Sequence, residues 1–459
     1  RNYLLNDPLL DWLSEYNITN IYDMPNGRIS NSLGTVKFNN HDIFTEYIMN
    51  QGVIFESEVY KILKKKFNIV KVSESYEARS KEKYLKTIEL MKKGVDILYQ
   101  PVVHDFENMV YGSPDLLVRS DKFNSIFNID YIDKDEEKKR SPKLKRNYHY
   151  IVIDIKHSTL HLNSNGLTLR NTGSIPAYKG QILVYNIAVG KMQGYKPTKG
   201  YILGKKWEYT KSGIVCKGND FMSRLGVIDY KGTDFDYIEK TKKALEWIRK
   251  VRNEGKNWSL LPFPSRKELY PNMKNEKDGS WRNIKNELNK KINDITSIWH
   301  CGVSKRDHAH SKGIYSWKDN RCNPNNLGFK PGKITDTLIP ILKINQQSKK
   351  LIDIDNLKQN KNWKNTEDNT MEFYLDYETM NSNLGKCEID EDYVGYKDND
   401  FIFMIGVGWG VNKWNFKEFV ALKNSNDGEL KMIKDFWDFI DKKLLENKKT
   451  KAKFIHWTQ

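Results

Sequence analysis

The sequence predicts an α/β protein: a mixed sheet flanked by helices, then a mainly helical middle segment, then a second α/β block. Three observations carry this expectation. A helical stripe at 51–67 is followed by strand-like runs at 96–103, 109–119 and 148–156. An apolar helical stretch at 176–192 then leads into a strand at 201–203, which completes a compact unit. The chain's 459 residues leave room for two or three domains, and strand patterns return only after 370.

Each element has a local reason. Residues 1–50 read as an N-terminal helical segment of short amphipathic pieces around Leu9, Leu10, Trp12 and Leu13. In 51–67, Gly52, Glu56, Val59 and Leu63 fall on one stripe at helical spacing. The stretch 130–146, acidic first and basic afterwards, reads as a solvated hairpin or loop inserted between two strands. These elements define a first α/β domain over 51–230. A helical middle domain over 231–350 contains an amphipathic helix at 236–253 and a helical stretch at 281–299. A loop rich in Lys, Asn and Asp (353–369) precedes a partial α/β domain over 370–459. Its strands are expected at 371–377, 401–409, 414–422 and 453–457, with a helix at 429–445.

Composition narrows the function. Hydrophobic residues are only 38%, yet 12 Trp, 25 Tyr and 19 Phe supply large buried areas. The net charge of +17 favours a polyanionic partner, because Lys and Arg gain affinity from phosphate neutralisation and counterion release. There is no apolar run of roughly 18 residues, so no membrane partner is expected. The N-terminal residues lack a signal-peptide pattern, and Cys216, Cys301, Cys322 and Cys387 are scattered without pairwise rhythm. The expectation is an intracellular protein without a disulfide framework.

The chemistry-bearing segment is Gly112-Ser113-Pro114-Asp115, followed by Ile153-Asp154-Ile155-Lys156. Strand alternation puts Asp154 and Lys156 on one face. Hard divalent cations prefer carboxylate oxygens, so Asp115 and Asp154 on adjacent strands are candidate metal ligands, with the Ile155 carbonyl a third oxygen. A lysine beside them can orient or deprotonate water, or stabilise charge on a phosphate. Standing alone, an Asp-x-Lys reads more readily as a structural ion pair. Here it is accompanied. Glu56 is placed to aim a further carboxylate, although Glu58 competes for the role, and Tyr178, Gln181 and Tyr185 share one helix face. That stripe also fits a half-buried amphipathic helix whose Tyr hydroxyls reach water.

The ordered series Gly52…Glu56, Gly112-x-x-Asp115, Asp154-Ile155-Lys156 and Gln181-x-x-x-Tyr185 resembles the RecB and lambda-exonuclease branch of the PD-(D/E)XK nucleases. That branch includes the RecB-like CRISPR-associated exonucleases. The stretch Gly94 to Val103 strengthens the likeness to RecB-family proteins that carry a C-terminal ribonuclease-H-like domain. The resemblance implies a PD-(D/E)XK restriction-endonuclease-like core acting on DNA with Mg²⁺ or Mn²⁺. Glu56, Asp115, Asp154 and Ile155 would hold the ion, and Lys156 would be the catalytic lysine. Gln181, Tyr185, Tyr178 and Ser113 would support the site or contact the phosphate. It admits a ring-forming homo-oligomer and a helicase or other processing partner; no sequence feature marks either interface. The 39-residue gap from Asp115 to Asp154 is long for the family, and the charged insertion accounts for it. CRISPR-associated members often hold an iron–sulfur cluster on four cysteines, but no cysteine here precedes Cys216, so no cluster is expected.

Weaker signals lie further on. Residues 295–314 loosely resemble a helix-hairpin-helix, with plain helix packing an equal reading. His300, Cys301, His308 and His310 match no standard zinc spacing, so zinc is not expected. Asp376 and Glu378 present two carboxylates on one strand face, like the opening pair of the ribonuclease-H-like DEDD exonucleases. Two further acids would be needed beyond Trp457, so that domain is expected to be inactive as it stands. Three readings remain: a metal-dependent DNA exonuclease, a catalytically silent nucleic-acid-binding scaffold, and a 3′ exonuclease acting through the complete C-terminal domain.

Overall fold

A computed structural model describes residues 1–23, 43–127, 129–347, 367–380, 401–410, 413–423 and 425–456. Cys387 and nearly all of the 353–369 loop lie outside them. The chain divides into two compact units, the first ending near Asp353. Both are mixed α/β arrangements of sheets flanked by helices, as the patterning predicts.

The first unit begins with α1 (Leu9–Tyr16), α2 (Ile43–Lys66), β1 (Ile69–Lys71) and α3 (Lys81–Lys93). Next come β2 (Ile97–Tyr99), β3 (Val103–Asp105), β4 (Val110–Gly112) and β5 (Leu116–Arg119). Two short helices, α4 (Ser120–Ile126) and α5 (Lys134–Glu137), precede β6 (Tyr150–His161) and α6 (Ile175–Gln193). The sheet is completed by β7 (Lys199–Lys211), β8 (Ile214–Gly218) and β9 (Leu225–Asp229). The helices α7 (Tyr237–Glu254), α8 (Arg282–Ile292), α9 (Val303–His310) and α10 (Lys333–Gln346) follow.

The sheet runs β1-β2-β5-β6-β7-β8, with β9 also paired to β7. β1 and β2 are parallel, as are β6 and β7, while β5 runs antiparallel to both of its neighbours. Tyr150 and Val152 face a core with Ile182, Leu183 and Val189 of α6. This core carries the long α6, which Pro176 starts and Gly194 ends at φ 79°. On α2 the buried stripe is Phe55, Val59, Ile62 and Leu63. Phe55 meets Phe221 edge-on at 5.3 Å and packs against His157 of β6.

Several expected boundaries differ, for local reasons. The strand expected over 96–103 is two strands, because Gln100 turns the chain in the left-handed region at φ 52°. The strand expected over 109–119 is interrupted at Ser113-Pro114-Asp115, where proline supplies no amide for a ladder. β7 outruns its predicted 201–203 because β8 pairs with its far half. The insertion at 130–146 is partly anchored rather than solvated: Tyr131, Ile132 and Leu144 are buried. The Tyr131 hydroxyl also accepts the Leu225 amide at 2.7 Å.

The N-terminal helix shares one core with the middle segment, in which Trp12 and Leu13 meet Trp247, Val251 and Trp258. Trp12 Nε1 donates to the Gly255 carbonyl at 2.8 Å. Buried Lys285 spends its ammonium on Asp7 (2.7 Å), Asp278 (2.8 Å) and the Asn275 carbonyl (3.0 Å). Every proton of the buried charge is thereby matched. No helix among the described residues is long and apolar enough to cross a membrane.

The second unit contains β10 (Thr370–Met380), β11 (Phe401–Trp409), β12 (Asn415–Val420), α11 (Asn426–Glu446) and β13 (Lys451–His456). The strand order is β12-β11-β10-β13, with β10 and β13 parallel. Phe373, Leu375, Val407 and Phe419 pack against Met432, Phe436 and Ile440 of α11.

Candidate active site

The site forms where β5 and β6 part. Their register pairs Leu116 with Ile153, so one further step sets Asp115 level with Asp154. The Ile155 amide donates to Asp115 Oδ2 at 2.5 Å, tying the turn residue to the strand. In an extended strand a residue's N–H and C=O leave on the same side, so the Ile155 carbonyl is directed toward Asp115 as well. Asp154 is buried, and its Oδ2 lies 2.5 Å from Lys156 Nζ.

Helix α6 closes the site from the sheet face that carries Asp154 and Lys156. The Lys156 ammonium stands 5.1 Å over the Tyr178 ring. Gln181 Nε2 donates to the Tyr185 hydroxyl at 2.9 Å. Gly112 is required here: a Cβ at that position would come within 2.5 Å of Tyr185 Cε1. The Tyr178, Gln181 and Tyr185 stripe therefore lies against the strands that bear the carboxylates.

Glu56 reaches the same end of the sheet from α2. Its Oε1 accepts from Gln100 Nε2, and Gln100 Oε1 accepts the Ser113 hydroxyl at 3.3 Å. Glu58, the competing carboxylate, is instead paired with Lys61 at 2.6 Å. The patterning did not assign a role to Gln100 or Tyr99. Gln100 bridges Glu56 and Ser113, while Tyr99 stacks on Tyr60 of α2 at 4.4 Å. The one sequence signal for them is their place in the apolar run just before Gly112-Ser113-Pro114-Asp115.

The electrostatics are those of crowded, buried acids. Burial, and then Asp154, push the Asp115 carboxyl well above the usual carboxylate range, with Lys156 opposing and Glu56 adding to the rise. Burial works against the Lys156 ammonium, but Asp154 and Asp115 outweigh it and hold this lysine above its ordinary value. The Tyr185 phenol is pushed up to about 12, first by burial and then by Asp154. Tyr99 is raised by burial and by the adjoining Glu56. Asp115 and Asp154 thus share the Lys156 ammonium at a buried position, with Glu56 adding to the negative field at Asp115. Asp115 and Asp154 are the two carboxylates here that could hold a divalent cation. As placed, Glu56 does not close a three-ligand cluster with them among the described residues; it is held by Gln100.

The other sequence candidates belong to other elements. Asp376 and Glu378 are exposed on the face of β10 opposite buried Phe373 and Leu375. Cys301 and Cys322 sit in an apolar core with Ile295, Ala309 and Leu338. Burial lifts both thiols, Cys301 to about 11 and Cys322 to about 12, which disfavours the thiolate a metal would need. His310 packs on Tyr270 at 4.7 Å and Tyr315 at 4.8 Å. In the 295–314 region a short 3₁₀ turn, Ile295–Ser297, precedes α9.

No protein-family model and no curated protein matches the chain.

Proposed function

We propose that the first unit is a divalent-metal-dependent deoxyribonuclease of the RecB and lambda-exonuclease branch of the PD-(D/E)XK fold. It would act as an exonuclease in DNA processing or in defence against foreign DNA. The observation that carries this reading is the level placement of Asp115 and Asp154 across β5 and β6, with Lys156 on the same strand face. Asp115 and Asp154 would hold Mg²⁺ or Mn²⁺, with Glu56 and the Ile155 carbonyl at hand; such an ion neutralises charge on the phosphate and lowers the pKa of bound water.

Lys156, held above its ordinary value, stays protonated at neutral pH. As a cation beside the carboxylates it can donate to a phosphate oxygen or orient the attacking water. Tyr185, with its phenol near 12, likewise remains a neutral hydrogen-bond donor. Gln100 fixes Glu56 and Ser113 around the turn that presents Asp115. The net charge of +17 supplies the sequence-independent attraction for the DNA backbone. The test is cleavage of end-labelled linear duplex and of a closed circle, with Mg²⁺, with Mn²⁺ and with EDTA. Metal-dependent loss of the linear substrate alone supports an exonuclease. Degradation that continues in EDTA contradicts the reading.

One observation favours the silent-scaffold alternative: the 2.5 Å pairing of Lys156 with Asp154 is what a structural ion pair also displays. DNA binding without cleavage under any divalent metal would select it. For the third reading, Asp376 and Glu378 share one exposed face of β10. Their ribonuclease-H-like role is tested by cleavage from a chain ending near 345, which should persist if the first unit does the work.

A further inference from the structure

Lysines that this chain takes out of water are matched by acids. Lys156, Lys179 and Lys285 each meet a carboxylate, at 2.5, 2.5 and 2.7 Å. Lys205 of β7 departs from this. It is half-buried, yet it makes no hydrogen bond or ion pair among the described residues. Burial, and then the adjoining Lys206, hold its ammonium below the ordinary lysine value, with no carboxylate opposing them. A partly desolvated charge without a counter-charge is costly, and the partner that removes the cost is an anion. Strand register sets its place. Lys156 pairs with Gly204 and Thr159 with Lys206, so His157 and Ser158 together stand opposite Lys205 in a bulge. The Cα atoms of Lys156 and Lys205 are therefore about 6 Å apart, one strand over and one step on. Alternation turns the two to opposite faces: Lys156 toward Tyr178 of α6, and Lys205 to the side where Phe55 of α2 packs against His157.

We propose that Lys205 holds a backbone phosphate of the DNA strand, next to the phosphate cut at Asp115, Asp154 and Lys156; the proposal rests on the nuclease reading. Lys156 is poorly suited to anchor DNA in the metal-free protein, because Asp154 and Asp115 already match its charge. Lys205 has its charge to give. Because the two lysines leave the sheet on opposite faces, they meet successive phosphates of one strand rather than closing on a single one. An ammonium is a point charge that reads no base, so the contact is independent of sequence. The two lysines thereby divide the work: Lys205 contributes to affinity, and Lys156 to the chemical step.

The experiment uses the full chain and an end-labelled linear duplex, titrated in EDTA and then cut with Mg²⁺. Lys205→Met keeps the apolar stem and removes the charge. In EDTA it should weaken binding roughly tenfold, as for loss of one charged hydrogen bond. The slope of log affinity against log salt should become shallower by about one, and Lys205→Arg should restore both. With Mg²⁺, Lys205→Met should need roughly tenfold more DNA for half-maximal cleavage, while its single-turnover rate at saturating DNA stays within about twofold of wild type. Lys156→Ala should show the reverse pattern. A single methylphosphonate, which removes the charge of one phosphate, is then moved along the strand from the labelled end. At one position it should weaken wild type roughly tenfold and Lys205→Met hardly at all, because both changes remove the same contact. Unchanged affinity and salt slope in Lys205→Met, beside a wild type that binds and cuts DNA, overturn the phosphate contact alone. So does a Lys205→Met that melts well below wild type, because the ammonium would then have an internal partner. Binding that depends on Lys205 in a protein that never cuts DNA upholds the contact and removes the nuclease reading.

Discussion

Replacing Asp115 with Asn should abolish cleavage and stabilise the protein, two effects of opposite sign from one side chain. The carboxyl is pushed well above its ordinary 3.8 by burial and by Asp154. A group whose proton affinity rises on folding contributes full stability below its unfolded pKa and loses it as pH rises through the folded value. Above about pH 4 the wild type therefore carries a growing penalty for this acid, while asparagine carries none. One proton limits that penalty to about 1.4 kcal/mol per pH unit. The Ile155 amide bond survives, because the asparagine carbonyl can accept in place of Oδ2. A net gain of about 1 kcal/mol at pH 7 is a conservative figure, since the new amide group also needs partners. For a unit this large it raises Tm by about 2 °C.

The assay is thermal melting in EDTA from pH 4 to pH 8, repeated with Mn²⁺. The variant's advantage should vanish toward pH 4 and widen upward. Wild type should gain stability from metal, by about 2.7 kcal/mol at a hundredfold excess over Kd, and the variant much less. A variant that melts below wild type in EDTA at pH 7, or gains equally from Mn²⁺, would refute the crowded-acid account.

Three further outcomes are expected. Lys156→Ala should reduce cleavage by roughly a thousandfold or more yet leave DNA affinity within about twofold, read by gel shift beside a single-turnover assay. Asp234→Ala should cost about 3–5 kcal/mol in urea unfolding, because it strands buried Lys179, whose ammonium lies 2.5 Å from Asp234 and 2.9 Å from the Leu169 carbonyl; the double change Lys179→Met with Asp234→Leu should recover most of it. DNA affinity should fall by roughly a thousandfold between about 50 and about 200 mM salt if about six phosphates are neutralised, and a flat salt dependence would contradict the electrostatic reading of the +17 charge.

The legible parts of this chain were those governed by local periodicity. Helix α6 and strand β11 match their expected spans closely, because an apolar face at period 3.6 or 2 leaves few alternative folds. Boundaries set by pairing were less visible. β7 extends to Lys211 only because β8 returns along it, and nothing in residues 204–211 announces that partner. The break at Gln100 depends on a left-handed backbone that glutamine seldom adopts, so composition did not signal it. The choice between Glu56 and Glu58 was open in one dimension, since both lie on the same helix; only the positions of Gln100 and Lys61 separate them.

By itself the sequence determined that Asp154 and Lys156 share a strand face and that Tyr178, Gln181 and Tyr185 share a helix face. Both follow from fixed backbone repeats that need no partner. Only the tertiary structure decided that Asp115 stands level with Asp154 and that α6 lays its polar stripe beside Lys156. Those placements depend on strand register and helix packing between segments far apart in the chain. Hydrophobic burial fixes them globally, and no local pattern encodes the distances that result.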